Sequence, residues 1–122
     1  MPEERTLHNA GEATPQLIDF MQHKLDSLAK WDLIQFFYNR PDLIVTAPKI
    51  ASLIGRDLRK VDHELKEMAD RGLLEAHDQS GVKVYQLAED RQTRALVEQF
   101  VRACDNRQFR EAAIYHTMSV RR

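Results

Sequence analysis

The stretch "RDLRKVDHELKEMADRGLL", residues 56–74, decides how this chain is read. Leu58, Val61, Leu65 and Met68 recur at three- and four-residue steps, which predicts a helix that buries one strip and stops at Gly72. The positions opposite that strip are Arg59, Lys60, His63, Lys66, Glu67 and Asp70, with Asp62 and Glu64 on the flanks. Arg56, Arg59, Lys60, Lys66 and Arg71 are balanced by Asp57, Asp62, Glu64, Glu67 and Asp70. The balance is uneven along the helix, because the outward bases lie in its first turns and the outward acids near its far end.

Upstream, "PDLIVTAPKIASLIG" (41–55) gives a short extended piece at Leu43–Val45 and then a helix start, with Thr46 at the cap and Pro48 in the first turn. Ile50, Ala51 and Ile54 form its inner stripe, and Gly55 is the natural stop, since glycine takes the left-handed conformation without steric cost. A tight turn then leads into residues 56–74. Downstream, "LLEAHDQSGVKVYQLAE" (73–89) holds two short runs, Leu73–His77 and Val82–Leu87, joined by a polar turn with Ser80 and Gly81. This predicts a hairpin in which Val82, Val84 and Gln86 alternate with Lys83, Tyr85 and Leu87.

Residues 1–14 lack periodicity and read as a mobile arm. From Pro15 onward Leu17, Ile18, Met21, Leu25 and Leu28 predict an amphipathic helix, with a break near Asp26 or Ser27. The next helix, "SLAKWDLIQFFYNR" (27–40), ends before Pro41 and is apolar on two arcs: Leu33, Ile34 and Phe37 on one, Leu28, Trp31 and Tyr38 on the other. One arc can face the core. The other needs a neighbouring helix or a second subunit, because large exposed apolar patches are uncommon on monomers. From about Glu89 a long helical pattern carries Leu96, Val97, Phe100, Val101 and Cys104 on one side, with a kink or a break expected near Asp105–Arg107 and a return to the stripe at Tyr115 and Met118.

Composition narrows the function classes. The chain has 122 residues, enough for one compact domain, with 43% apolar and 30% charged residues and a net charge of −1. No run approaches the ~18 apolar residues of a membrane span. The start, "MPEERTLHNAGEATPQ", has acids and no apolar core, so neither a secretory nor a transit peptide is read there, and a cytoplasmic location is expected. A lone Cys104 excludes an internal disulfide and reads as a small core residue. Seven arginines (Arg91, Arg94, Arg102, Arg107, Arg110, Arg121 and Arg122) against Glu98, Asp105 and Glu111 make the C-terminal end basic. The five histidines, His8, His23, His63, His77 and His116, show no ligand spacing, and there is no glycine-rich phosphate loop. Asp62 and Glu64, two apart on a helix, do not face each other as a carboxylate pair would. No catalytic residue, metal or cofactor is expected.

The order helix, short strand, helix, tight turn, helix, two-stranded ribbon, carried by "TAPKIASLIGRDLRKVDHELKEMADRGLLEAHDQSGVKVYQLAE", resembles the winged helix-turn-helix of arsenical-resistance-type and multiple-antibiotic-resistance-type transcriptional regulators. The likeness covers residues 28–88, and its most telling part is "VDHELKEMADRGLLEA". It implies a mainly α fold with a small β-hairpin (α+β), extended by extra N- and C-terminal helices. The division would be a flexible arm over 1–14, a winged-helix domain with an N-terminal helix over 15–88, and a C-terminal helical segment for dimerisation over 89–122.

The resemblance further implies a sequence-specific regulator that binds double-stranded DNA, with helix 58–71 in the major groove and Gln79–Lys83 as the wing tip. Arg59, Lys60, His63 and Lys66 would meet base edges and phosphates, with Lys49, Arg56, Ser80 and Lys83 as further phosphate contacts. Trp31, Tyr38, Leu96, Phe100 and Cys104 would line the interface of a homodimer that sets two recognition helices about one DNA turn apart. Near-neutral charge favours a rival, a winged-helix module that binds protein and not DNA. RNA fits less well, since the ribbon offers no aromatic stacking platform. Nothing in the sequence indicates a small-molecule effector.

Overall fold

A computed structural model describes residues 14–120. The arm expected over 1–14 lies, apart from Thr14, outside the described residues. Among these residues the chain is mainly helical with a small antiparallel sheet: α1 (Pro15–Lys24), α2 (Leu28–Tyr38), β1 (Val45–Thr46), α3 (Ala47–Ile54), α4 (Leu58–Asp70), β2 (Leu74–Gln79), β3 (Val82–Leu87), α5 (Arg91–Ala103) and α6 (Arg107–Val120).

Short polar residues start the helices by taking up amides that have no partner inside the helix. The hydroxyl of Thr14 accepts from the Leu17 amide at 3.1 Å, Ser27 from Lys30 at 3.2 Å and Thr46 from Lys49 at 3.4 Å, while the Asp57 carboxylate accepts from the Lys60 amide at 3.1 Å. Gly55 ends α3 in the left-handed region at φ 71°, donating its amide to the Ala51 carbonyl at 2.9 Å, and so makes the sharp turn into α4.

β2 and β3 pair in register from Leu74 opposite Leu87 to Gln79 opposite Val82, leaving Ser80 and Gly81 as a two-residue turn. Both have positive φ, 52° and 83°, the twist that suits a two-residue hairpin. The short strand expected before α3 lies at Val45–Thr46 and joins the ribbon as a third strand, a pairing the two-stranded reading did not include. Val45 pairs with Tyr85 and Thr46 with Val84, giving the order β1-β3-β2. As the central strand, with α2 and α3 packed against it, β3 is buried at both Val84 and Tyr85 instead of alternating between two unlike faces.

The core gathers Leu17, Phe20 and Met21 of α1, Leu33, Ile34 and Phe37 of α2, Ile50 of α3, Leu65 and Met68 of α4, and Val97 and Phe100 of α5. Each fully buried aliphatic or aromatic side chain contributes about 1.5–3 kcal/mol. The first arc of α2 is buried within this chain, and on the second arc Trp31 is buried too. Trp31 meets Phe100 edge-on with ring centroids 5.2 Å apart, and its indole N–H donates to the Leu25 carbonyl at 2.8 Å. That corrects the expected use of Trp31, Phe100 and Cys104: all three are buried inside one chain, because α5 folds back onto α1 and α2, and only Tyr38 and Leu96 of the expected interface set are half-exposed.

Three further expectations change. Leu58 is 46% exposed and not part of the buried strip of α4, which is Val61, Leu65 and Met68 joined by Glu64. Leu28 is exposed as the first residue of α2, outside α1, while Phe20 is buried in its stead. The expected break in the C-terminal helix falls at Cys104–Asn106, where Asn106 restarts the helix by accepting from the Phe109 amide at 3.0 Å. The restart changes the phase, so α6 buries Phe109, Ala113 and Thr117, and Tyr115 is 76% exposed. The Met118 side chain lies outside what is described.

Candidate nucleic-acid interface

α3, the Gly55 turn and α4 present one helix to solvent at a fixed angle. Val61, Leu65 and Met68 anchor α4 inward, and Arg59, Lys60, His63 and Lys66 stand exposed on its other side. The face is not a simple row of free cations. Lys60 Nζ lies 3.1 Å from Glu64 Oε2, His63 Nε2 3.2 Å from Glu67 Oε2, and Lys66 Nζ 3.1 Å from Asp62 Oδ2. Arg56, at the turn, donates its Nε–H to Asp32 Oδ2 of α2 at 3.1 Å. Arg59 forms no ion pair among the described residues, and the same holds for Lys49 on α3 and Lys83 on β3. Ser80 and Lys83 are exposed on the hairpin, an element separate from α4.

Behind this face sits a residue that sequence reasoning did not single out. Lys30 of α2 is fully buried, and its ammonium reaches Glu64 Oε1 at 2.5 Å, Glu67 Oε1 at 2.6 Å and Asp26 Oδ1 at 3.1 Å. Arg71 closes the far side, 3.0 Å from Asp26, and the Ser27 hydroxyl donates to Glu64 Oε1 at 3.2 Å. Each of the two α4 carboxylates therefore divides its oxygens. One oxygen faces inward to Lys30, and the other holds an outward base, Lys60 or His63.

The ionisation states follow from this packing. Burial opposes the charge on Lys30, but hydrogen bonds to Glu64, Glu67 and Asp26 outweigh it and lift its pKa above the ordinary lysine value. Burial likewise opposes ionisation of Glu64, and the Lys30 and Lys60 ammonium groups overcome it, holding the carboxyl below the ordinary range. Glu67 is lowered chiefly by its bond to Lys30. Asp26, despite burial, is lowered by Arg71 and Lys30. The signal for the cluster was in the sequence. Lys30 precedes Leu33, Ile34 and Phe37 by three, four and seven residues, and Glu64 lies three after Val61 and four before Met68, so both fall on buried stripes and need each other. Placing Glu64 on the flank of the helix was the error: it is 1% exposed.

The C-terminal end of α4 is tied down as well, since Lys24 of α1 donates to the Arg71 carbonyl at 2.8 Å. No group of three or more His, Cys, Asp or Glu side chains suited to a metal ion occurs among the described residues, and no helix there is long and apolar enough to cross a membrane.

No protein-family model and no curated protein matches the chain. Among solved structures it is similar to a possible transcriptional regulator from Methanosarcina mazei Go1, at 19% sequence identity and a TM-score of 0.54, over 77% of this chain and 83% of that one. At that identity the likeness is one of fold.

Proposed function

We propose that this chain is a winged-helix transcriptional regulator that binds double-stranded DNA, with α4 entering the major groove and the β2–β3 hairpin serving as the wing. The observation that carries the reading is the exposed set Arg59, Lys60, His63 and Lys66 on the one helix that follows the α3 turn and precedes the hairpin. The likeness to the possible transcriptional regulator from Methanosarcina mazei Go1 supports a regulatory role, and the element order supports a winged helix. Arg59 suits a bidentate contact to guanine, and Lys60, Lys66 and the hairpin's Lys83 suit phosphates. The role is non-enzymatic and cytoplasmic. A homodimer would place two copies of α4 on successive half-sites, and with Trp31 and Phe100 already buried it would use outer surfaces of the C-terminal helices, where Tyr115 is exposed.

An anisotropy titration with labelled duplex at low salt tests the proposal. Binding should weaken linearly with log salt, with a shallow slope that reflects few phosphate contacts. Arg59→Ala with Lys60→Ala should reduce affinity, and an unchanged affinity would refute major-groove entry by α4. One observation favours a protein-binding module instead, namely that Lys60, His63 and Lys66 are each matched by an acid one turn away. Flow-through on heparin and on duplex at low salt would support that rival.

A further inference from the structure

We propose that Lys30, though buried and out of reach of any ligand, is the positioning residue that makes α4 usable as a DNA-binding face. The inference rests on the DNA reading above and deepens it. α4 carries Glu64 and Glu67 on or beside the turns that bear Lys60 and His63. Without Lys30, Glu64 would be an unpaired buried charge drawn toward water on its Lys60 side, and the half-buried Glu67 would turn outward, so both carboxylates would move toward the phosphates and repel them, since like charges brought together across an interface oppose association. Lys30 prevents this by drawing one oxygen of each into the interior, at 2.5 Å and 2.6 Å. Their second oxygens then face sideways to Lys60 and His63 and hold those two bases in place.

The acids thus act as brackets between a buried cation and two outward bases. Ser27, which caps α2, supports Glu64 from the same side, and Asp26 and Arg71 complete the charge balance around Lys30. The neutrality of the helix is thereby eased at two of its acids: Glu64 is buried and Glu67 half-buried against Lys30, while Asp57, Asp62 and Asp70 keep solvent exposure.

The test compares wild type, Lys30→Met and the triple variant Lys30→Met/Glu64→Gln/Glu67→Gln in duplex titrations at two salt concentrations, with folding followed by circular dichroism. Lys30→Met should weaken binding by about tenfold and flatten the salt dependence, because two carboxylates are released toward the phosphates. The triple variant lacks Lys30 too but has no carboxylates to release, so it should bind as tightly as wild type or more tightly. If Lys30 serves packing alone, the folded single and triple variants will bind equally weakly, and the proposal is overturned. Lys30→Met binding as tightly as wild type overturns it as well. Should Lys30→Met not fold, the folded triple variant decides alone: affinity at or above wild type supports the proposal and lower affinity refutes it. A wild-type protein that binds no duplex overturns the DNA reading and this inference together, an outcome distinct from all the others.

Discussion

Trp31 on α2 and Phe100 on α5 meet edge-on, their ring planes at 75° and their centroids 5.2 Å apart. The pair joins the C-terminal helix to the same core that holds α4, so α5 is structural support and not an appendage. Phe100→Ala should lower the unfolding free energy by about 3–5 kcal/mol, since a fully buried aromatic leaves a cavity its neighbours cannot close. Urea denaturation followed by Trp31 fluorescence measures this, and a loss below ~1 kcal/mol would show that α5 is dispensable to the core.

The Lys30 cluster sets the pH range of stability. Asp26, Glu64 and Glu67 are held below their ordinary values of 3.8, 4.5 and 4.5, so their contribution is present above those values and is lost as pH falls through the lower folded-state ones. Lys30 is raised above 10.5, so its contribution is present below that value and is lost as pH rises through the higher folded-state one. Tm should change little on account of this cluster between about pH 5 and 10, and fall on either side. The triple variant Lys30→Met/Glu64→Gln/Glu67→Gln should show a weaker dependence at both ends. Identical acid limbs in the two proteins would rule the cluster out as the cause.

Arg56 and Arg59 flank the start of α4 but differ in company: Asp32 holds the first, and the second has no acid partner among the described residues. Arg59→Ala should therefore weaken duplex binding more than Arg56→Ala. Asp32→Asn, which releases Arg56, should strengthen binding two- to threefold, about 0.5 kcal/mol. Equal losses at Arg56 and Arg59 would contradict this ordering.

Ser80 adopts φ 52° at the hairpin tip, a conformation that costs a residue with a β-carbon of order 1 kcal/mol. Ser80→Asn should raise stability by about 0.5 kcal/mol, because asparagine tolerates the left-handed region better. Gly81→Ala, at φ 83°, should lower it by about 1 kcal/mol. Paired thermal melts decide both, and a destabilising Ser80→Asn would mean that the Ser80 hydroxyl matters more than its backbone.

Cys104 is buried, and burial pushes its thiol up to about 11, so little thiolate exists near neutrality. Iodoacetamide at pH 8 should leave the folded protein unmodified and label it after urea is added. Rapid labelling of the native protein would contradict this burial.

Much of the fold was legible because its signals are local. Thr46, Gly55 and Gly72 punctuate the helices around α4, and the Ser80–Gly81 turn announces the hairpin. The misses share a different cause. The short strand before α3 was legible as an extended piece, but its pairing with β3 was not, because no window of sequence contains both strands. Whether Trp31 and Phe100 pack together or against a second subunit depends on where α5 returns, and periodicity does not encode that. Tyr115 was misplaced because Asn106 resets the helical phase, and counting residues across a break carries the old phase forward. On the candidate site the exposed bases were legible from spacing, while the inward turn of Glu64 required noticing that two opposite charges sat on two apolar stripes.

The pairing of β1 with β3 also governs how the chain comes together. Val45 and its partner Tyr85 are separated in sequence by α3, α4 and β2, so forming this short ladder closes a long loop at a cost in chain entropy. Once closed, it works as a latch: the helix pair and the hairpin cannot swing apart without breaking main-chain hydrogen bonds. The exposed bases and the wing tip therefore move as one unit.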